Sequence, residues 1–390
     1  MPETSISVAQ IRGNGLSDRE TKTWEYFPSD VKQTVFITRK NVYYQSPLSF
    51  PMVKVSASTD NFFLRHGMKY LFGQYQHILG LEEKLRDFDI AHAGEIYNYY
   101  TYQAVQAKKL NPKLKVVATV WENIFGRFEY NYWPGFAMPP RYWREKLSRI
   151  MESCVKGVDH FLPTSRDSAT LLMDYGVPEE KITVVTPGII PPDPSVKAAM
   201  PERLSGKEAY LMVNRLVKEK GVYDVLYGWR LYMRRCTDKN KKVLVVIGEG
   251  SERKNMERLA NEWKMGESIA FLRQLPYGEL LGLYKGAKCL ILGSIPRPDW
   301  QEQFGYVLGE AMCSDVPVIA TYSGAIPEVV GRAGLLIPPA HPIALAEALG
   351  KFDDSNLYQT VKAACAEEKK KFAVGLYADT VTKIYRRLIR

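Results

Sequence analysis

Short runs of apolar residues recur along the chain and alternate with longer stretches of helical periodicity. In the first half these runs are SISVAQI, QTVFITR, MVKVS, DIAHA, KVVATV, HFLPTS and ITVVTPG, and in the second half they are AYLMVNRL, KVLVVIGEG, IAFLRQL, KCLILGS, PVIATYS and GLLIP. Most are apolar at nearly every position, which is typical of strands buried on both faces of a parallel sheet. Helical stretches lie between them at 62–86, 141–156, 221–236, 251–264 and 342–350. This βαβ rhythm occurs twice and predicts two Rossmann-like α/β domains.

The domain boundary is expected at 188–208, GIIPPDPSVKAAMPERLSGKE, which is rich in Pro and lacks apolar periodicity. A chain of 390 residues already favours two domains over one compact core. We therefore predict an N-terminal domain over 1–193 and a C-terminal domain over 207–372. The tail predicts two helices, and we expect the last one, over 373–390, to pack on the N-terminal domain.

Composition narrows the class of protein. Apolar residues make up 46% and charged residues 25% of the chain, which argues against long disordered segments. No run reaches the roughly 18–20 apolar residues that a membrane-spanning helix needs, and the start, MPETSISVAQ, lacks the pattern of a secretory signal. The cysteines are odd in number and form no CxxC pair, which fits free thiols in a reducing compartment: Cys154, Cys236, Cys289, Cys313 and Cys365. These features predict a soluble cytoplasmic protein.

The net charge of +10 leaves several partners open. A basic balance suits nucleic acid, an anionic membrane face or an acidic small molecule, and it also suits a surface that is simply well solvated. The basic residues cluster at 141–156, 230–242 and 366–390, each at helical spacing, so a solvated helix face explains each cluster locally. No recognised nucleic-acid-binding module is present, and we expect no nucleic-acid partner.

The stretch PRPDWQEQFGYVLGEAMCSDVPVIATYSGAIPEVVG (296–331) carries the most chemistry. Glu302 lies just before Phe304 and Gly305, and a helical pattern follows. A glycine near a helix start lets a ligand approach the backbone, and the free N–H groups there favour a phosphate. Glu310 lies about 12 Å further along the axis, at 1.5 Å per residue. Two carboxylates so placed can bind opposite ends of a long ligand, although two exposed helix-face glutamates would give the same spacing.

This stretch resembles the signature of glycosyltransferase family four, EQFGxxxxEAMAxGxPVIAxxxGGxPExV, which reads EQFGYVLGEAMCSDVPVIATYSGAIPEVV here. The resemblance implies the GT-B fold, two Rossmann-like domains facing across a cleft, and sugar transfer from a nucleotide-diphosphate donor with retention of configuration. It implies that Glu302 binds the hydroxyls of the donor sugar and Glu310 those of the ribose. Two departures are visible: Ser314-Asp315 replaces a glycine-containing turn, and Ala325 replaces a glycine.

Two further stretches of the second half carry the resemblance. In YLMVNRLVKEKGVYDVL (210–226), two cations lie beside a helix start at the end of a strand, which suits a diphosphate. The family has GRLxxxKG here, so its phosphate-neutralising roles carry over to Arg215 and Lys220, with Asn214 in place of the usual glycine. In VLVVIGEGSE (243–252), Gly248 and Gly250 resemble the turn near the donor's base and diphosphate, a weak signal by itself.

The N-terminal half matches more loosely, through PTSRDSATLLMDYGVPEEKITVVTPGI (163–189), where Pro187 and Ile190 replace the family's Asn and Asp. A glycine-rich loop, IRGNG, offers Gly13 and Gly15 to the acceptor side, or it is an ordinary strand-to-helix turn. Many relatives carry a histidine after the strand that is VVATV here; the residues found instead are Trp121, Glu122 and Asn123, of which Trp121 could stack on the sugar and Glu122 or Asn123 could bind it. His92 ends another strand and is either an acceptor-side or a structural residue.

The stretch 121–146 is unusually aromatic and includes Arg127, Arg141 and Arg144. It fits a sugar-stacking acceptor surface, an interfacial membrane anchor or a covered core loop. A lipid acceptor at the inner leaflet would also account for the positive charge, and this alternative predicts a protein peripheral to that membrane face.

Taken together, the resemblance predicts a metal-independent hexosyltransferase that needs no cofactor beyond its nucleotide-sugar substrate. The acceptor is expected to be a glycan, a lipid-linked molecule or a small molecule. Glu302, Arg215, Lys220 and Glu122 are the candidate catalytic residues, and the helix start at Phe304, Gly305 and Tyr306 is expected to bind the donor's phosphates. A non-catalytic nucleotide-sugar-binding scaffold and a nucleotide-sugar epimerase are the alternatives on the same fold.

Overall fold

The computed structural model describes residues 5–40, 47–60, 76–124, 141–192, 201–204 and 206–390. The chain divides into two compact units. The first comprises Met1–Gly188 together with Val374–Arg390, and the second comprises Ile189–Ala373. Each contains one six-stranded sheet whose assigned strand pairs are all parallel.

The sheet of the first unit has the strand order β3-β2-β1-β4-β5-β6. Its strands are β1 (Ile6–Ile11), β2 (Val31–Thr38), β3 (Met52–Val55), β4 (Ile90–Gly94), β5 (Lys115–Val120) and β6 (His160–Pro163). The helices described between them are α1 (Asp18–Trp24), α2 (Leu81–Lys84), α3 (Tyr99–Ala107), α4 (Arg141–Gly157) and α5 (Arg166–Asp174). Central strands β4 and β5 are buried almost throughout, as their continuous apolar pattern predicts.

The sheet of the second unit has the order β12-β11-β10-β7-β8-β9. Its strands are β7 (Glu208–Val213), β8 (Lys242–Ile247), β9 (Ile269–Leu272), β10 (Ala287–Leu292), β11 (Val318–Thr321) and β12 (Gly334–Ile337). The helices are α6 (Val222–Arg235), α7 (Arg253–Glu262), α8 (Tyr277–Lys285), α9 (Tyr306–Cys313), α10 (Ile326–Val330), α11 (Pro342–Lys351) and α12 (Ser355–Glu368). Apolar clusters cover both faces of this sheet.

The last helix, α13 (Val374–Ile389), belongs to the first unit although it follows the second in the chain. Its residues Ala378, Val381 and Tyr385 share an apolar cluster with Val8 and Val35 of β1 and β2. The chain passes from one unit to the other after Gly188 and returns after Ala373. These two points are neighbours, since Ile189 N–H donates to Phe372 O at 2.8 Å. The first unit therefore ends slightly before the end of the expected 1–193 segment.

One predicted strand is absent from the described structure. ITVVTPG (182–188) runs beside β6 as irregular chain, where Thr183 N–H donates to Phe161 O at 3.0 Å and Val185 N–H donates to Pro163 O at 2.9 Å. Only one bridge, between Phe161 and Ile182, has ladder geometry. Pro163 of β6 has no N–H to donate to this segment, so the ladder stops after one bridge.

The helices expected at 62–86 and 141–156 are described to different extents. Only part of the helix expected at 62–86 is described, and α2 there is four residues long. The helix expected at 141–156 forms as α4, and its apolar residues Leu147, Ile150, Met151 and Cys154 lie in the core of the first unit.

All five cysteines are free thiols, and burial raises the pKa of Cys154 to about 12.

Each sheet reverses its strand order once, between β1 and β4 and between β7 and β10. In open parallel sheets, ligands bind beyond the carboxyl ends of the strands at such reversal points, because the connecting helices diverge there to opposite faces. The residues that follow β1, β4, β7 and β10 are therefore the first places to look for chemistry.

Candidate functional site

The loops that follow β7 and β10 approach each other closely in the second unit. Gly221 adopts a left-handed backbone with φ of 62°, and a Cβ atom there would lie 1.8 Å from Gly293 O. Ile295 N–H donates to Glu219 O at 2.8 Å and ties the two loops together. Only glycine allows this approach, so the sequence at 221 and 293 determines where Lys220 and Ser294 lie.

Lys220 and Glu302 meet at this point. Lys220 Nζ donates to Glu302 Oε2 at 2.6 Å, and Ser294 Oγ donates to the same oxygen at 2.7 Å. The side chains of the two charged residues are only 13% and 10% exposed. Lys220 Nζ also lies 4.8 Å from the centroid of the Trp300 ring, a cation–π distance. The geometry joins two residues that are 82 positions apart into one charged pair.

The loop carrying Glu302 is fixed by its backbone. Glu302 N–H donates to Ser323 Oγ at 3.4 Å, and Ala325 N–H donates to Glu302 O at 3.0 Å. Gly305 then adopts φ of 78° and precedes α9, so the N–H groups of the first turn of α9 follow directly. Phe304 is buried and Tyr306 is partly exposed, with their rings in edge contact at 5.1 Å between centroids. The predicted order of carboxylate, glycine and helix start is present.

The second carboxylate of the motif is enclosed. Glu310 lies inside α9 with no exposed surface, and Glu310 Oε2 accepts a hydrogen bond from Tyr284 of α8 at 3.2 Å. Its neighbours in the helix, Gly309 and Ala311, are buried as well. The interpretation of Glu310 as an exposed helix-face residue is therefore wrong, and a ligand would reach it only after covering side chains move.

The cation and the amide that follow β7 differ in exposure. The Arg215 side chain is 65% exposed, with Nη2 3.9 Å from Glu219 Oε1, so its guanidinium is open to a ligand. Asn214 is half-buried, and within the described structure neither polar atom of its side chain has a hydrogen-bond partner. A buried amide without a partner is costly, which marks this point of the strand end as unusual.

The two glycines after β8 have a packing explanation. Gly248 adopts φ of 140°, and a Cβ atom there would lie 2.0 Å from Asn214 O. A Cβ atom at Gly250 would lie 2.2 Å from Leu216 O. The β8–α7 turn therefore needs glycine in order to pack against the β7–α6 loop, whether or not a donor binds there.

The predicted acceptor-side residues follow the carboxyl ends of strands in the first sheet, except His92, which was predicted to end a strand but lies inside β4. A Cβ atom at Gly13 would meet the side chain of Gln76, whose Oε1 accepts from Asn14 N–H at 2.9 Å. Around Gly15, no described atom lies within 4 Å of a Cβ position. Gly13 thus serves the packing of its own loop, and Gly15 lies in open space.

His92 has no exposed surface, and both of its ring nitrogens are engaged. Nδ1 lies 2.6 Å from Tyr385 Oη of α13, and Nε2 lies 2.7 Å from Thr119 Oγ1 of β5. Burial, followed by the charge of Arg12, lowers the pKa of His92 well below its usual value. The acceptor-side assignment of His92 does not fit this geometry, and the structural alternative does.

Of the three residues that follow β5, Trp121 alone is partly exposed. Glu122 and Asn123 are buried, and Glu122 Oε1 accepts from the N–H groups of Asn123 and Ile124, each at 3.1 Å. The carboxylate of Glu122 therefore stabilises its own loop, and the geometry offers it no exposed face for a catalytic contact. Trp121 lies over Arg12, with 5.6 Å between the guanidinium carbon and the ring centroid. Trp121 is the residue here that can contact a ligand.

Four residues of the site went unnoticed in the sequence: Ser294, Trp300, Ser323 and Gly293. Ser294 and Gly293 end the run KCLILGS, so their position after a strand was a usable signal. The aromatic stretch 125–140, including Arg127, lies outside the described residues, and nothing of the side chains of Arg141 and Arg144 is described. Within the described ranges, no group of three His, Cys, Asp or Glu residues could hold a metal ion, and no helix is long and apolar enough to cross a membrane.

Comparison with known proteins places this geometry in a family. The model for glycosyl transferases group 1 matches residues 199–371, and the model for glycosyltransferase family 4 matches residues 52–191. Together they take in most of the chain, including β4, β7 and β10, although β1 lies outside both matches. The chain belongs to glycosyltransferase family four.

Relatives and solved structures agree with this family. D-inositol 3-phosphate glycosyltransferases of Corynebacterium jeikeium and Corynebacterium urealyticum are each 30% identical, over 45% and 54% of this chain and 42% and 50% of their own length. The chain thus spans about half the length of the curated relatives it matches. Anabaena HepE, solved in complex with UDP-glucose, superposes with a TM-score of 0.69 at 14% identity and covers 98% of this chain and 100% of that one. The fold is that of the GT-B glycosyltransferases.

Two departures from the family-four signature now have a structural context. Asp315, in the turn where the signature has glycine, adopts a left-handed φ of 57°, and its carboxylate Oδ1 accepts from Lys369 Nζ at 2.6 Å. This backbone conformation is the one that favours glycine. Ala325 is buried at the start of α10, and its N–H bonds to the Glu302 carbonyl. Neither departure removes a group that contacts Lys220 or the Glu302 carboxylate.

Proposed function

We propose that this chain is a retaining glycosyltransferase that moves a hexose-type sugar from a nucleotide-diphosphate donor to a hydroxyl group of an acceptor. The observation that carries the proposal is the pair of Lys220 and Glu302 at the strand-reversal point of the second sheet. A largely buried cation beside a carboxylate, next to the first turn of α9, offers one group to phosphate oxygens and another to sugar hydroxyls.

In the proposed reaction, Lys220, Arg215 and the first turn of α9 stabilise the negative charge that develops on the leaving diphosphate. Because Lys220 and the first turn of α9 are held in place before the donor binds, they need little reorganisation when the bond breaks. Glu302 accepts hydrogen bonds from the hydroxyls of the donor sugar. Glu310 binds the ribose hydroxyls, which requires its covering side chains to move. The proposed chemistry needs no metal ion, because cations and backbone N–H groups supply the charge.

The similar proteins suggest the first substrates to test. HepE is solved with UDP-glucose, and the Corynebacterium relatives are named for D-inositol 3-phosphate. UDP-glucose is therefore the first donor and D-inositol 3-phosphate the first acceptor. We further propose that the acceptor is presented on an anionic membrane surface. Co-sedimentation with anionic liposomes at low salt would measure whether the protein binds such a surface.

The first experiment is a panel of UDP-, GDP- and ADP-linked sugars, read by thermal shift, by slow donor hydrolysis and by transfer to D-inositol 3-phosphate, each with and without EDTA. We expect one donor to raise the melting temperature and to turn over equally well in EDTA. Stabilisation by none of the donors would contradict the proposal. Binding without turnover across an acceptor panel would favour the non-catalytic scaffold, and a new sugar product in the absence of any acceptor would favour the epimerase.

A further inference from the structure

Glu95 occupies an unusual backbone position at the reversal point of the first sheet. It follows β4 directly, adopts a left-handed φ of 63° and is only 6% exposed. A residue with a long side chain rarely adopts this conformation, which is energetically costly. Such a cost persists where the side chain makes contacts that a glycine could not make.

Glu95 makes three hydrogen bonds at the end of β5. Glu95 Oε1 accepts from Trp121 N–H at 2.9 Å and from Glu122 N–H at 3.2 Å. Glu95 N–H in turn donates to Thr119 O at 2.8 Å. Strand pairing between β4 and β5 runs from Ile90 to Gly94, so this carboxylate continues the pairing beyond the point where the ladder stops. It determines where the backbone of Trp121 lies.

The Trp121 ring is fixed from the other side by Arg12. Arg12 lies between two rings, with its guanidinium carbon 5.3 Å from the centroid of Trp24 and 5.6 Å from that of Trp121. Its Nη1 donates to His92 O at 3.2 Å, and its Nε donates to Glu20 Oε1 at 2.6 Å. Arg12 itself is 5% exposed and follows β1.

The close approach at Gly94 completes the arrangement. A Cβ atom at Gly94 would lie 3.3 Å from Cζ3 of Trp121, so the ring packs against the backbone at the end of β4. Arg12 after β1 and Gly94 and Glu95 at the end of β4 therefore hold Trp121, while the residue stays partly exposed. Several groups thus hold one partly exposed aromatic residue near a strand-reversal point. This arrangement fits a surface that binds a ligand better than it fits a core contact.

We propose that Glu95 is a positioning residue of the acceptor surface: its carboxylate holds the Trp121 backbone so that the indole ring stacks on the carbon ring of a polyol or sugar acceptor. Aromatic faces bind the C–H face of such rings, and the benefit depends on a fixed ring orientation. This inference rests on the proposed function for the identity of the ligand, but the positioning itself does not.

The first measurement follows the amide groups of Trp121 and Glu122 by hydrogen exchange. Glu95→Gly keeps the left-handed backbone and removes the acceptor oxygen, so exchange at both amides is expected to accelerate by about tenfold or more. Glu95→Gln keeps an acceptor oxygen and should retain slow exchange. Lys264→Gly is the matched control. Lys264 lies in the second unit and also has a left-handed backbone, with φ of 54°, so this variant likewise replaces a long side chain by glycine at such a position. Unchanged exchange in Glu95→Gly would overturn the positioning role.

The second measurement separates acceptor binding from stability. With UDP-glucose and D-inositol 3-phosphate, Glu95→Gly and Trp121→Ala are expected to raise the acceptor KM by about tenfold, with a smaller change in kcat. The thermal shift caused by UDP-glucose should stay at the wild-type value, and Glu95→Gln should restore the KM. A lower melting temperature with an unchanged acceptor KM would show a merely structural role and overturn the proposal. If wild-type protein turns over no donor, the proposed function fails, while amide exchange still decides whether Glu95 positions Trp121.

Discussion

At the scale of single residues, the pair of Lys220 and Glu302 is hard to explain by stability alone. Burying two opposite charges costs desolvation free energy, and the attraction between them often does no more than offset that cost. An enclosed salt bridge is therefore weak evidence for a stabilising role. Here Ser294 donates a second hydrogen bond to the Glu302 carboxylate, and Trp300 makes a cation–π contact with Lys220. Such convergence at a strand-reversal point is more typical of a site arranged before its ligand binds.

Substitutions in this pair should therefore affect turnover more than folding. We expect Lys220→Ala and Glu302→Gln each to lower kcat/KM for sugar transfer by about 10²–10³-fold, because each removes a group that contacts the developing charge or the donor sugar. Steady-state kinetics with the donor identified in the panel would measure this. Lys218→Ala is the matched control, since Lys218 is an exposed cation in the same loop. Near-normal activity in both site variants would refute the assignment.

Whole strands and helices were easier to predict than side-chain contacts. Twelve apolar runs correspond to the twelve strands of the described structure, because continuous burial in a parallel sheet leaves a strong and local signal. ITVVTPG has the same composition but forms no strand, since Pro163 of the neighbouring β6 has no N–H to donate to it. A pattern within one segment carries no information about the hydrogen-bonding groups of the segment beside it.

The loops between strands depend on glycines whose role only the structure reveals. Gly221→Ala would place a Cβ atom 1.8 Å from Gly293 O and also require a left-handed alanine. We expect it to destabilise the second unit by more than the 1–3 kcal/mol typical of the backbone conformation alone, and to lower transfer activity because Lys220 moves.

The control for this variant is Gly206→Ala. Gly206 has φ of 78°, and among the described residues no atom lies within 4 Å of its Cβ position, so that change isolates the backbone cost from the clash. Urea unfolding of the two variants gives the comparison. Equal losses of stability would mean that the loops move apart freely, and that the close approach of Gly221 to Gly293 does not position Lys220.

At the scale of the whole molecule, the main limit of the sequence is contact between distant positions. The motif residues Lys220, Glu302 and Glu310 were found because each lies in a local phrase that the family shares. The partner of His92 could not be found in this way, because Tyr385 follows it by 293 residues, after the entire second unit. The same distance hides the pairing of Arg386 with Asp30, at 2.8 Å, by which α13 is held to the first unit.

The attachment of α13 should make the first unit sensitive to mild acid. Burial, followed by the charge of Arg387, lowers the pKa of His160 to about 4, and burial and Arg12 lower that of His92 still under its usual range. Unfolded histidines titrate near 6.5. Between about pH 6.5 and 4 the unfolded state therefore binds more protons, so stability is complete above pH 6.5 and falls as the pH falls through this window.

Hydrogen exchange of α13 amides at pH 7.5, 6 and 5, corrected for intrinsic rates, measures this directly. Wild-type protection should decrease toward pH 5. In His160→Gln, which cannot titrate, the decrease should be shallower, because only His92 then contributes. The pairing of Asp30 with Arg386 lowers the pKa of Asp30 from an already low value and so acts below this range. The prediction fails if the protection of the α13 amides stays constant from pH 7.5 to 5. It also fails if protection decreases as steeply in His160→Gln as in wild type, because the buried histidines would then not make the stability of α13 depend on pH.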